Sequence, residues 1–177
     1  MSFDSIRLEN CFPELHGFVL LDPARLEHFY DAPVRGVDLL ARFARSEDGD
    51  RVCREGVAIP MIGVEAGDYT IIVRDAALQS MDQHPRLRSS GWILGTETGK
   101  LIFCGLGYLT DWEPDHPRHA HVEVPPGWYR VEITGHVVHD GTSAEEWEYQ
   151  LALSLTREKP VFSADLTTRF GLSPGEP

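Results

Sequence analysis

The densest run of side chains able to do chemistry is DWEPDHPRHAHVEV, Asp111 to Val124. It holds Asp111, Glu113, Asp115, His116, His119, His121 and Glu123, and His136 and His139 follow. Imidazole together with carboxylate is a donor set for zinc, iron, manganese, nickel or copper. Residues two apart on a strand share a face, so His119, His121 and Glu123 would point one way. Three protein ligands would leave coordination positions open for water and substrate, as a metal hydrolase or oxygenase requires. His136 is a further candidate ligand, and a transition metal is the cofactor that this pattern implies.

The spacing of His119, His121 and Glu123 resembles the H-x-H-x(3,4)-E motif of cupins, which implies a jelly-roll barrel with a metal-dependent activity. Two positions depart from the motif. Glu123 follows His121 by one residue instead of three or four, and Arg130 stands near where the second cupin motif, P-x-G-x-x-H, carries histidine.

Alternation supports a different use of the same residues. Ala120, Val122 and Val124 are the apolar members of the first strand, so a core would claim them and turn His119, His121 and Glu123 outward. In VPPGWYRVEI, Tyr129, Val131 and Ile133 face one way, while Trp128, Arg130, Glu132 and His136 face the other. A hairpin closed by Pro125-Pro126-Gly127 would join the two polar faces into one surface. Tryptophan and arginine are typical interface anchors. Trp128, Arg130, Glu132, Glu123 and His136 are therefore the candidate protein-binding face.

Other chemistries find less support. GLGYLT (Gly105 to Thr110) has Thr110 in place of the third glycine of a dinucleotide fingerprint. GTETGKL (Gly95 to Leu101) is one residue short of a phosphate loop and ends in Leu101, where magnesium would need Ser or Thr. Both read as turns. No G-x-S-x-G elbow occurs. Cys104 lies in an apolar strand pattern without a basic neighbour, as a packed thiol does.

The elements that must position these groups are mostly strands. VEAGDYTIIV (Val64 to Val73) and VPPGWYRVEI (Val124 to Ile133) repeat V-x-x-G-x-Y-x-[IV]-x-[IV] sixty residues apart. The repeat resembles the strand openings of transthyretin-like and immunoglobulin-like modules, with glycine at the entry and a tyrosine ring buried at the strand mouth. Alternation also predicts a hairpin of Val37 to Phe43 with Arg51 to Ala58, and another of Trp92 to Leu94 with Lys100 to Cys104. Trp147 to Thr156 reads as a long strand.

Helix signals are fewer. Asp22-Pro23 caps a short helix ending near Tyr30, and weaker patterns run from Asp75 to Met81 and from Ala164 to Phe170. The expected fold is mainly β: a single antiparallel β-sandwich, jelly-roll-like or immunoglobulin-like, over residues 1–172. One short N-terminal helix and a flexible tail over 173–177 complete it.

At 177 residues the chain is long enough for one domain with its own core. A net charge of -12 disfavours nucleic acid and anionic membranes and suits a basic protein partner. Three widely spaced cysteines and the lack of a leader pattern predict a soluble cytoplasmic protein with reduced thiols. Lys100 and Lys159 are the only lysines and Asn10 the only asparagine, a bias that suggests a bacterium with a GC-rich genome. In general form the chain is similar to small bacterial nuclease inhibitors and toxin-immunity proteins. The reading that follows is a non-catalytic protein-binding module of inhibitor or immunity type. The alternative is a cupin-like metal-dependent enzyme.

Overall fold

A strand whose every side chain is apolar must be covered on both faces, and GFVLL, Gly17–Leu21 (β2), is buried along its whole length. The structure is a computed structural model, and it describes residues 2–78, 84–139, 141 and 144–174. Before β2 comes β1 (Ile6–Cys11), and after it come α1 (Pro23–Tyr30), α2 (Leu39–Arg45), α3 (Asp48–Arg54), β3 (Ala58–Ile62) and β4 (Tyr69–Asp75). Next are β5 (Leu87–Thr96), β6 (Lys100–Gly105), a 3-10 turn (Leu106–Asp111), β7 (Ala120–Glu123), β8 (Gly127–His139) and β9 (Glu145–Thr156).

The fold is mainly β, with two sheets in the orders β1-β4-β9-β8-β5 and β3-β2-β6-β7. Both contribute to one cluster of buried residues, and Phe18 of β2 meets Tyr69 of β4 edge-on across it at 5.8 Å. Pairing is not antiparallel throughout, because β4 and β9 run parallel. Among the described residues, no helix is long and apolar enough to cross a membrane.

Among the described residues, three α-helices and a 3-10 turn replace the single helix expected. α1 forms as its cap signals predict. The hairpin expected from Val37 to Ala58 is instead α2 and α3, followed by the start of β3. Alternation misled there because Leu39, Leu40 and Phe43 also satisfy helical spacing, and Leu, Ala and Arg favour helix over strand. Asp38 caps α2 by accepting from Ala41 N at 2.8 Å. Ser46 then links the helices, donating to Arg42 O and accepting from Asp48 N. Ala164 to Phe170 carries only a turn, closed by Thr168 N donating to Asp165 O. The helix expected from Asp75 begins on the last residue of β4 and passes through a turn, and its end lies outside the described residues.

The repeated motif does the same structural work twice. Val64, Tyr69, Ile71 and Val73 are buried, as are Val124, Tyr129, Val131 and Ile133. Each tyrosine hydroxyl donates to the carbonyl four residues upstream, Tyr69 to Glu65 O and Tyr129 to Pro125 O. The chain is thereby tied down where it enters each strand.

The expected hairpin partners are strands, but they do not pair with each other. β5 lies in the five-stranded sheet and β6 in the four-stranded one, so residues 96–99 cross between sheets. Pro125-Pro126-Gly127 makes the same crossing from β7 to β8. The two corners adjoin, with Val124 N donating to Gly99 O at 2.9 Å. Gly99 has φ +72, and a Cβ there would collide with the Val124 carbonyl.

Asp22 holds the first corner. Its carboxylate is fully buried, and Oδ1 caps α1 through Ala24 N at 2.9 Å. Oδ2 accepts from the Thr96 hydroxyl (2.6 Å), Glu97 N (3.1 Å), Thr98 N (3.3 Å) and the Thr98 hydroxyl (3.0 Å). The segment that looks faintly like a phosphate loop does cradle an anion, and that anion belongs to the chain itself. Removing the carboxylate forfeits a cap, about 1 kcal/mol, and strands buried donors at about 1–3 kcal/mol. Asp22→Ala is expected to lower the free energy of urea unfolding by about 3 kcal/mol. A loss below about 1 kcal/mol would show that the corner does not depend on Asp22.

Candidate functional site

Two apolar side chains on a loop too short to bury them mark the site. Between β1 and β2 the chain reads Phe12-Pro13-Glu14-Leu15-His16, with Pro13 buried. Phe12 is 48% exposed and Leu15 59%. Asn10, Leu15 and His16 all take positive φ (55°, 54° and 58°), a conformation uncommon among non-glycine residues, more accessible to Asn and His than to Leu. Glu14 N donates to Phe12 O and His16 N to Pro13 O, while His16 O accepts from both Gly63 N and Val64 N at 3.0 Å. Gly107 N donates to Glu14 O at 3.2 Å. The loop is pinned to the fold at both ends while its two apolar side chains face solvent.

Beside the loop lies a cleft of about 600 Å³. Leu8 and Cys11 of β1 and Glu14 of the loop form one side, and Cys104, Tyr108 and His119 the other. Glu14 folds over the end of β6, where a Cβ on Gly105 would collide with its carboxylate. Its Oε2 is buried without a hydrogen-bond partner among the described residues.

His119 breaks the alternation that placed it beside His121. It precedes β7 in a turn, with its N–H donating to His116 O at 3.0 Å, and its ring turns inward to 6% exposure. The imidazole stacks on Trp112 with centroids 5.4 Å apart and meets Tyr108 edge-on at 5.4 Å. Nε2 lies 2.8 Å from the Glu113 carbonyl. A carbonyl can only accept, so Nε2 carries the proton and the neutral ring leaves Nδ1 as a bare acceptor. Nδ1 too has no partner among the described residues. Burial holds the pKa of His119 below the ordinary imidazole value; the Glu113 carbonyl opposes this, and the charges of His116 and His121 reinforce it.

The thiols are held neutral. Burial, with the Glu14 charge second, pushes Cys11 up to about 11 and Cys104 up to about 12. Neither supplies a thiolate nucleophile near neutral pH.

The histidines and carboxylates singled out from the sequence are dispersed. His121 and Glu123 are exposed on β7, opposite Ile102 and Lys100 of β6. His136 sits on β8 in the other sheet, 2% exposed, with Nε2 2.9 Å from the Thr134 hydroxyl. Among the described residues, no group of three or more His, Cys, Asp or Glu is placed to hold a metal ion.

The expected single polar face is likewise divided, because the segment between β7 and β8 crosses sheets instead of closing a hairpin. Trp128 lies half-buried beneath the Arg25 guanidinium, 4.3 Å from the ring centroid, with Lys159 also over the ring. Glu132 pairs with Arg88 at 2.7 Å. Arg130 is exposed and shares a second groove with Glu132, Arg74 and Ser163.

Phe12, Glu14 and Leu15 escaped the reading of the sequence. Their one signal is a turn-forming Asn10 and Pro13 between strands, interleaved with large apolar residues that alternation does not place in the core.

A histidine with a depressed pKa makes stability depend on pH in a defined direction. As pH falls below the ordinary value of 6.5, the unfolded chain takes up the proton first, so stability declines with falling pH there and is unaffected above it. Nitrogen-15 spectra of His119 are expected to show the neutral Nε2–H tautomer at pH 7 and a midpoint below 6.5. His119→Gln is expected to flatten the acid limb of the stability profile. A midpoint at or above 6.5 would refute the placement.

No protein-family model matches the chain, and no curated protein matches it in sequence. Two solved structures are similar to it. One, described as Crocagin biosynthetic gene J, is 16% identical with a TM-score of 0.47, over 84% of this chain and 95% of that one. The other is ComJ from Bacillus subtilis, an inhibitor of the DNA degrading activity of NucA. It is 9% identical with a TM-score of 0.48, over 88% of this chain and 98% of that one.

Proposed function

We propose that this chain is a β-sandwich protein-binding module without catalytic activity, of inhibitor or immunity type, acting in the cytoplasm on a basic protein. The observation that carries the reading is the loop between β1 and β2. Apolar side chains held on a rigid, strained backbone lose little conformational entropy when they dock, which favours binding. A loop ordered by two backbone hydrogen bonds within residues 12–16 and three to its surroundings suits that role better than a mobile one.

Charge supports the choice of partner. The chain carries -12, and Glu9 precedes the apolar pair Phe12 and Leu15 while Glu14 lies between its members. A basic surface would be steered toward it, with an association rate that falls as salt is added. Three free cysteines are at home in a reducing compartment. The outward face of β8, with Arg130 and Glu132, is a separate surface in this reading.

The test begins with capture. Immobilised chain is used on a lysate of the host, and the captured protein is produced separately and titrated by calorimetry. The expected partner is basic, and Phe12→Asp and Leu15→Asp each weaken it at least 100-fold while Arg130→Glu leaves it unchanged. If the loop variants bind as tightly as the unaltered chain, the docking role fails. A loss caused by Arg130→Glu alone would move the contact to β8.

A further inference from the structure

Two residues that line the same cleft, Glu14 and His119, each carry a buried acceptor that meets no donor among the described residues. One is Oε2 of Glu14 and the other is Nδ1 of His119, whose second nitrogen is committed to the Glu113 carbonyl. Neither can donate to the other in these forms, a carboxylate and a neutral imidazole. Both therefore call for a ligand that brings N–H or O–H groups, and the carboxylate favours one that also brings positive charge.

The walls narrow the class further. The rings of Phe12 and Tyr108 are part of the lining, as are the neutral thiols of Cys11 and Cys104 and the polar side chains of Glu9 and Asn10. A guanidinium has five donors in one plane, accepts nothing, and stacks on aromatic faces. An ammonium matches the charge and its three donors could meet both acceptors, but it is a compact point charge that does not stack on a ring face as the planar guanidinium does. The positive groups at the cleft leave room for it. Arg7 is drawn to Glu9 (3.1 Å) and Glu148 (3.7 Å), and the Arg118 side chain lies exposed at the rim, where solvent screens it. Both acceptor atoms are buried in this conformation, so a ligand reaches them only when neighbouring side chains move aside.

We propose that the cleft receives the guanidinium of an arginine side chain presented by the basic partner, with Glu14 and His119 accepting its N–H groups and Phe12 and Tyr108 flanking its plane. This rests on the reading of the loop as the docking element. The cleft then supplies specificity beside the apolar contact of Phe12 and Leu15.

The experiment uses N-acetyl-arginine amide as probe, its neutral isostere N-acetyl-citrulline amide, and N-acetyl-lysine amide, each titrated into the full chain and followed by amide chemical shifts. The arginine derivative is expected to shift Glu14, Gly105, Gly107 and His119 saturably, with a Kd on the order of 1 mM. Citrulline should bind at least 10-fold more weakly and lysine should fall between them. Glu14→Gln should weaken the arginine derivative at least 10-fold, with the spectrum elsewhere reporting an intact fold. Equal shifts from citrulline, no saturable shift, or shifts centred elsewhere overturn the assignment without needing any variant. If Phe12→Asp abolishes binding of the captured partner while Glu14→Gln leaves it unchanged, the docking reading stands and the arginine assignment falls. If the arginine derivative binds while both loop variants keep the partner, the cleft is a site for free guanidinium compounds, and its assignment to a partner's arginine is overturned.

Discussion

A single buried carboxylate organises this molecule. Asp22 has no solvent to share its charge, so the protein must supply the donors, and it does so from two elements far apart in sequence. Ala24 N comes from the first turn of α1, whose positive end also favours an anion there. The other donors come from residues 96–98. Satisfying Asp22 thus fixes the corner at which β5 leaves one sheet and β6 enters the other. Arg25 adds to the clasp by donating to the carbonyls of Glu55 and Gly56 while lying over Trp128.

The cleft depends on that corner. Once β6 runs in the second sheet, its end delivers Cys104 and Gly105 beside the β1–β2 loop, and its pairing with β7 brings His119 to the same place. The three segments that meet there are held by different means. β6 and β7 are held by their ladder, the 3-10 turn is tied through Gly107 to the loop, and the loop is anchored through His16 to residues 63 and 64. Strain in the loop backbone, of order 1 kcal/mol or more per residue, is tolerated because these bonds leave the chain no other course. The result is a rigid apolar tip beside a polar recess.

The parts of the fold that were legible in the sequence are those set by local pattern. The Asp-Pro start of α1, the burial of alternate residues in β4 and in the first half of β8, and the paired tyrosine corners all follow from nearest neighbours along the chain. Where two periodicities fit the same residues, as over Leu39 to Phe43, the choice was settled by caps at Asp38 and Ser46, which the alternation concealed. Pairing was the larger failure. Short Gly/Pro turns after Thr96 and Val124 look like hairpins, yet both cross between sheets because their flanking strands find better partners: β8 for β5, and β2 and β7 for β6.

The sequence by itself determined the chemical inventory: an acidic chain, neutral thiols in apolar settings, an inward and an outward side for β4 and the start of β8, and a tyrosine anchor at two strand entries. Each of these depends on residue type and on spacing of a few positions, which covalent geometry transmits directly. Only the tertiary structure decided which of these groups meet. It sent His136 and His121 to different sheets, turned His119 inward onto Trp112, and placed Glu14 over Gly105 beside two exposed apolar side chains. Those encounters rest on contacts across roughly a hundred residues of chain, chosen by burial and hydrogen-bond satisfaction over the whole core, and no local pattern encodes them.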